Sequence, residues 1–164
     1  MFQKVIIIVM IAFLAAPAFS QPALKIDSPV PSFTLSNLKG EAIPLDQYLG
    51  KKVIILSFFA SWSRSCQQEL FFLKYLYENR GLKIIGVSFD RKLNDLKSFI
   101  NENQIEFEIL HDNKLTTLKD FRILIIPTLL VIDKEGNLKN IYVDFDQNVE
   151  KAVSKEIQKL LAPI

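Results

Sequence analysis

The chain has 164 residues, 49% of them hydrophobic, with 20 Lys and Arg against 18 Asp and Glu. That near-neutral balance excludes a polyanion-binding protein, so no nucleic-acid partner is expected. One cysteine, Cys66, and one histidine, His111, exclude an intrachain disulfide and a Cys/His structural metal site, and no cofactor-binding motif stands out.

The first twenty residues read as a secretory signal. Lys4 gives a positive start, Val5 to Ala16 is unbroken apolar sequence, Pro17 interrupts it, and Ala18 and Ser20 suit cleavage before Gln21, with Ala16 and Ala18 giving a second possible cut. The run falls short of the roughly 18 to 20 apolar residues that cross a bilayer, so an uncleaved membrane anchor is the weaker alternative. Removal of residues 1–20 takes away Lys4 and leaves 19 basic against 18 acidic residues. Residues 21–164 are then expected to form one exported, periplasmic or otherwise extracytoplasmic domain.

After a polar, proline-bearing lead-in, residues 53–60 are apolar on both alternating faces and predict a buried central strand. From Ser63 to Asn79, Cys66, Leu70, Leu73 and Tyr77 recur at helical spacing while Gln67, Glu69, Lys74 and Glu78 supply a polar side, which predicts an amphipathic helix ended by Gly81. A strand over 83–89, a helix over 93–103, a strand over 105–110 and a short helix over 114–121 follow. Then come a strand over 128–132 opened by Pro127, a turn at 134–137, a returning strand over 138–143 and a last helix over about 147–161. Sequential βαβ units demand parallel strands and the short turn an antiparallel pair, so the expectation is a three-layer α/β domain with a mixed sheet.

The chemistry concentrates at Ser63-Arg64-Ser65-Cys66, which the pattern places at a helix N-terminus, where free N–H groups and the helix dipole lower a thiol pKa. Arg64 adds a positive charge nearby. Against this, Cys66 shares its helical face with Leu70 and Leu73, which suits a buried and unreactive thiol. Ser63 or Ser65 also reads as a helix cap, Ser65 with Gln68 having capping-box spacing. Trp62 reads equally as an exposed aromatic in a partner groove or as a lid on the core. His111-Asp112 reads as a loop or surface pair, Glu106 and Glu108 as a solvated strand edge, and the Phe71-Phe72 pair cannot face one core with both rings.

Trp62-Ser63-Arg64-Ser65-Cys66 after the FFAS strand end, Gly86-Val87-Ser88-Phe89-Asp90, and Ile126-Pro127 opening the TLLVID strand together resemble the thioredoxin superfamily, in its exported TlpA-like or redoxin branch. The resemblance covers nearly all of residues 25–162 and implies the thioredoxin-like fold with that branch's extra helix and strand at 92–110. It also implies a WCxxC redox pair and a cis-proline that shapes a substrate groove. Trp62, Cys66 and Pro127 match, with Arg64 beside them, but Ser63 stands where the attacking cysteine belongs. A serine hydroxyl cannot replace a soft thiolate in attack on a disulfide sulfur, so dithiol exchange is expected to be lost or weak. What the resemblance leaves is a groove for a protein or peptide thiol or disulfide partner.

The chain also resembles peroxiredoxins, which keep one cysteine with a hydroxyl residue three positions before it, as Ser63 precedes Cys66. That implies, as an alternative, a monothiol peroxidase using Cys66. The proline and arginine of that pattern are missing: Phe59 holds the first position, and Pro127 lies where the second is expected.

Overall fold

In the computed structural model of this chain, residues 24–78 and 81–162 are described; the expected signal at 1–20 lies outside them. The longest apolar run forms the sheet's central strand, β3 (Val53–Phe59), buried at every position. It pairs in parallel with β4 (Leu82–Ser88), which pairs in parallel with β5 (Glu108–His111). On its other side β3 meets β6 (Thr128–Ile132) antiparallel, and β6 meets β7 (Leu138–Val143) antiparallel across the short turn.

Two strands lie in what the sequence suggested was only a lead-in: β1 (Thr34–Asn37) and β2 (Ala42–Pro44). They extend the sheet to the order β2-β1-β5-β4-β3-β6-β7. Both are short and mostly solvent-facing, so they lack the apolar signature of the inner strands. Their presence makes β5 an interior strand, which corrects the reading of Glu106 and Glu108 as one solvated edge. Glu106 precedes the strand, while Glu108 accepts from the Tyr48 hydroxyl at 3.1 Å and lies 3.6 Å from Lys83 Nζ.

Four helices complete the domain: α1 (Arg64–Leu76), α2 (Leu93–Glu102), α3 (Thr116–Asp120) and α4 (Gln147–Leu161). Alternation along β3 divides the core between the two sheet faces. Val53, Ile55 and Phe59 pack with Cys66, Leu70 and Leu73 of α1, Leu96 of α2 and Val153 and Ile157 of α4. Ile54, Leu56 and Phe58 pack on the opposite face with Leu45, Phe121 and Leu130. Gly86 in β4 marks a close approach: a Cβ there would stand 2.8 Å from Ile109 Cδ1 and 2.9 Å from Phe59 Cε1. This is the thioredoxin-like architecture, with helix α2 and strand β5 inserted between β4 and the β6–β7 pair.

Candidate active site

The parallel strands all end at one rim of the sheet, and the chain leaves β3 there through Ala60, Ser61 and Trp62 into α1. Ser63 is the N-cap residue, in extended conformation, and its hydroxyl oxygen accepts from the Cys66 N–H at 3.5 Å. Ser63, which the resemblance sets where an attacking cysteine is expected, serves the helix end. Ser65, the other candidate cap, instead donates to Asp144 Oδ1 at 2.6 Å.

Cys66 is fully buried, in the cluster with Phe59, Leu70 and Leu73. Burial pushes its pKa up, against opposing pulls from the Ser63 hydroxyl and the Ala60 backbone. The lowered pKa expected from the helix end is not found: desolvation of the thiolate outweighs these two hydrogen bonds. A peroxidatic thiol needs the reverse, exposure and a depressed pKa. Trp62, by contrast, is 74% exposed, and Arg64 is exposed at the first helical position.

Pro127 approaches from the other side of β3. The register Phe58 to Thr128 brings it to the level of Phe59, and the Ile126–Pro127 peptide bond is cis. Asp144 joins the two halves of the rim. Its side chain accepts from Ser65, while its backbone N–H donates to the Pro127 carbonyl at 2.8 Å. It does so in the left-handed region, at φ 63°, which aspartate tolerates better than most side chains. Ahead of Pro127, Leu124 is 92% and Ile125 56% exposed, an apolar ledge on the same loop.

Three residues outside the predicted site set shape this rim. Asp90, 3% exposed, takes the Ser61 N–H on Oδ2 at 2.9 Å, the Ser61 hydroxyl on Oδ1 at 2.7 Å and the Ser88 hydroxyl on Oδ2 at 2.7 Å. It fixes the turn that presents Trp62. His111, expected in a loop, closes β5, and its Nε2 lies 2.7 Å from the Asp90 carbonyl oxygen, which places the ring proton on Nε2. Asp112 is buried and accepts from both the N–H and hydroxyl groups of Thr116 and Thr117, opening α3.

Glu69 departs most from expectation. Its place among polar residues suggested the wet side of α1, yet it is wholly buried one turn behind Cys66. Its Oε1 accepts from the Ser57 hydroxyl, Oε2 has no partner, and burial raises its pKa from 4.5 to about 8. A largely protonated carboxyl at neutral pH thus sits beneath the thiol. The signal that could have found it is the fourfold spacing to Leu73, which sets Glu69 on the buried stripe rather than opposite it.

Among the described residues no group of three or more His, Cys, Asp or Glu is arranged to hold a metal, and no helix is long and apolar enough to cross a membrane.

Comparison with known proteins agrees with this geometry. Residues 26–141 match the AhpC/TSA family. The thiol-disulfide oxidoreductase ResA of Geobacillus kaustophilus is 30% identical over 122 residues, 73% of this chain and 70% of that protein. The thioredoxin-like protein YneN of Bacillus subtilis is 30% identical over 118 residues, 69% of this chain and 68% of that one. Among solved structures, one assigned as a thiol:disulfide interchange protein DsbE from Chlorobium tepidum superposes with a TM-score of 0.78 at 26% identity, covering 85% of this chain and 100% of that one. The chain therefore belongs to the AhpC/TSA family, as a thioredoxin-fold member related to the ResA thiol-disulfide oxidoreductases, with serine at position 63 of its WSRSC motif.

Proposed function

We propose that this protein is an exported thiol-redox-type domain, residues 21–164 after removal of a signal at 1–20, whose dithiol exchange is lost and whose Trp62, Arg64 and Pro127 groove binds an extended partner peptide. The observation that carries the reading is the pairing of a wholly buried Cys66 with a Trp62 that is 74% exposed. An exposed Trp62 is available to a partner, while the thiol of Cys66 is not. Ser65, Asp144 and Pro127 are linked by hydrogen bonds, so the helix start and the proline loop form one continuous wall. Leu124 and Ile125 add apolar area to it, which suits a peptide laid alongside in extended form. The related proteins named for thiol-disulfide chemistry support a cystine- or cysteine-bearing partner.

The test is restoration. In disulfide exchange a thiolate attacks one sulfur of the partner's disulfide, the partner's other sulfur leaves as a thiolate, and the second cysteine then closes the enzyme disulfide and releases the reduced partner. Ser63→Cys supplies the missing attacker three residues before Cys66. With dithiothreitol as reductant, the variant is expected to reduce insulin disulfides well above the reductant alone, whereas the parent stays at background. Equal activity of parent and variant would overturn the reading.

The peroxidase alternative draws on the AhpC/TSA family match. It requires Cys66 to react in the folded protein, so alkylation only after unfolding in urea counts against it. Mass measurement of the exported protein checks the cut before Gln21.

A further inference from the structure

Helix α1 carries a second surface, away from the buried stripe of Cys66, Leu70 and Leu73. Phe71 and Tyr75, four residues apart and so on one helical face, are 46% and 81% exposed. Phe72 lies beside them and meets Phe145 in a tilted pair, ring centres 5.5 Å apart at 35°. Together with the start of α4 these four rings line an open cavity of about 570 Å³. Its rim carries Asp146 and Glu150, with glutamine amides between, and none of the described lining residues is basic.

Two carboxylates present negative potential to the cavity, and any ring face that a cation meets adds to it through its quadrupole. The N-terminus of α4 works the other way, with an effective charge of roughly +0.5. Asp146 already covers that end, its Oδ1 accepting from the N–H groups of Asn148 at 2.8 Å and Val149 at 2.9 Å. Two unit negative charges outweigh half a positive one, so the cavity suits a cation and disfavours an anion. A bare ammonium or guanidinium would leave the exposed ring area wet; the same group on an aliphatic stem would not.

We infer that this cavity docks a lysine or arginine side chain of a partner peptide, the charge set between Tyr75, Asp146 and Glu150 and the stem and an adjoining apolar residue lying on Phe71, Phe72 and Phe145. The site stands apart from the thiol chemistry. It adjoins the groove through Phe145, which follows the Asp144 that binds Ser65 and the Pro127 carbonyl. A partner lying along Pro127 therefore meets it a few residues further on, which makes basic sequence beside the bound segment a specificity element.

The experiment is an amide NMR titration of the mature chain with an acetylated, amidated peptide of alternating lysine and leucine, and with its glutamate and leucine counterpart. Saturable shifts at Phe71, Tyr75, Phe145 and Glu150 are expected with the lysine peptide, and binding at least about tenfold weaker with the glutamate peptide. Glu150→Lys and Tyr75→Ala, both at exposed positions, should each weaken the lysine peptide about fivefold or more while leaving distant amide shifts in place. Trp62→Ala should keep the cavity shifts, which separates this site from the groove. Equal binding of the two peptides, shifts confined to Trp62 and Thr128, or an unchanged affinity in Glu150→Lys would each overturn the inference.

Discussion

Two buried carboxyl groups flank the turn that leads into α1, and they are treated in opposite ways. Asp90 accepts three hydrogen bonds, two of them from Ser61, and its own N–H is taken by the Ser88 hydroxyl at 3.0 Å. Glu69 has one bond, from Ser57, and an oxygen with no partner. The first arrangement satisfies a charged group and ties β3 to the segment after β4. The second leaves a group whose charged form is costly, so that its proton is retained well above the ordinary carboxylate range. The difference teaches that the rim is rigid where it presents Trp62 and electrostatically frustrated where it backs Cys66.

The sharpest way to break the comparison is to remove the satisfied partner. Asp90→Ala strands the Ser61 N–H and two hydroxyls in a nearly closed site, and each unmatched buried donor costs about 1 to 3 kcal/mol. With some relief from entering water, a loss of about 4 kcal/mol is expected, a large share of the stability of an ordinary domain. Urea unfolding of the parent and variant measures it. A loss below about 1 kcal/mol would mean that the Ser61 turn does not depend on Asp90.

For Glu69 the sign is different. Its folded pKa, about 8, lies above its ordinary 4.5, so the folded chain holds more protons than the unfolded chain between those values. The stability linked to this one group is therefore fullest below about pH 4.5, falls as pH rises through that window, and levels off above 8. The slope from this group is at most about 1.4 kcal/mol per pH unit, and a few kcal/mol in all. Glu69→Gln removes the titration. Unfolding midpoints at pH 5, 6.5 and 8 should fall with pH in the parent and stay flatter in the variant, with the variant the more stable at pH 8. Parallel pH profiles would show that Glu69 does not carry the dependence.

That pair also explains what the sequence could and could not tell. Strands β3, β4, β6 and β7 and helices α1, α2 and α4 were legible because long apolar runs and four-residue spacing record burial directly. Short, wet β1 and β2 carry no such record, since what places them is pairing with residues far along the chain, Asn37 with Leu110 among them. At the rim, Trp62, Ser63, Arg64, Cys66 and Pro127 were named from local pattern. The site roles of Asp90, Glu69 and Asp144 were not read, because a carboxylate's role depends on whether its surroundings answer its charge. Asp90 meets Ser61 across 29 positions, and Ser65 meets Asp144 across 79.

Asp144 extends the comparison to a third carboxylate, this one in water. The Ser65 hydroxyl first, and the Phe145 N–H at 2.9 Å second, hold its pKa below the usual 3.8. A depressed carboxylate pKa adds stability above its ordinary value and loses it as pH falls through the lowered one. Asp144 is exposed, so solvent competes for the same bonds and screens the charge. Ser65→Ala should cost only about 0.5 kcal/mol at pH 7, with the difference from the parent shrinking as the pH falls through the lowered Asp144 pKa. A chemically similar serine-to-aspartate bond thus contributes far less at Ser65 than at Ser61, because Ser65 left alone is satisfied by water and Ser61 is not. A cost near that of Asp90→Ala would instead make the Ser65 to Pro127 wall a structural keystone.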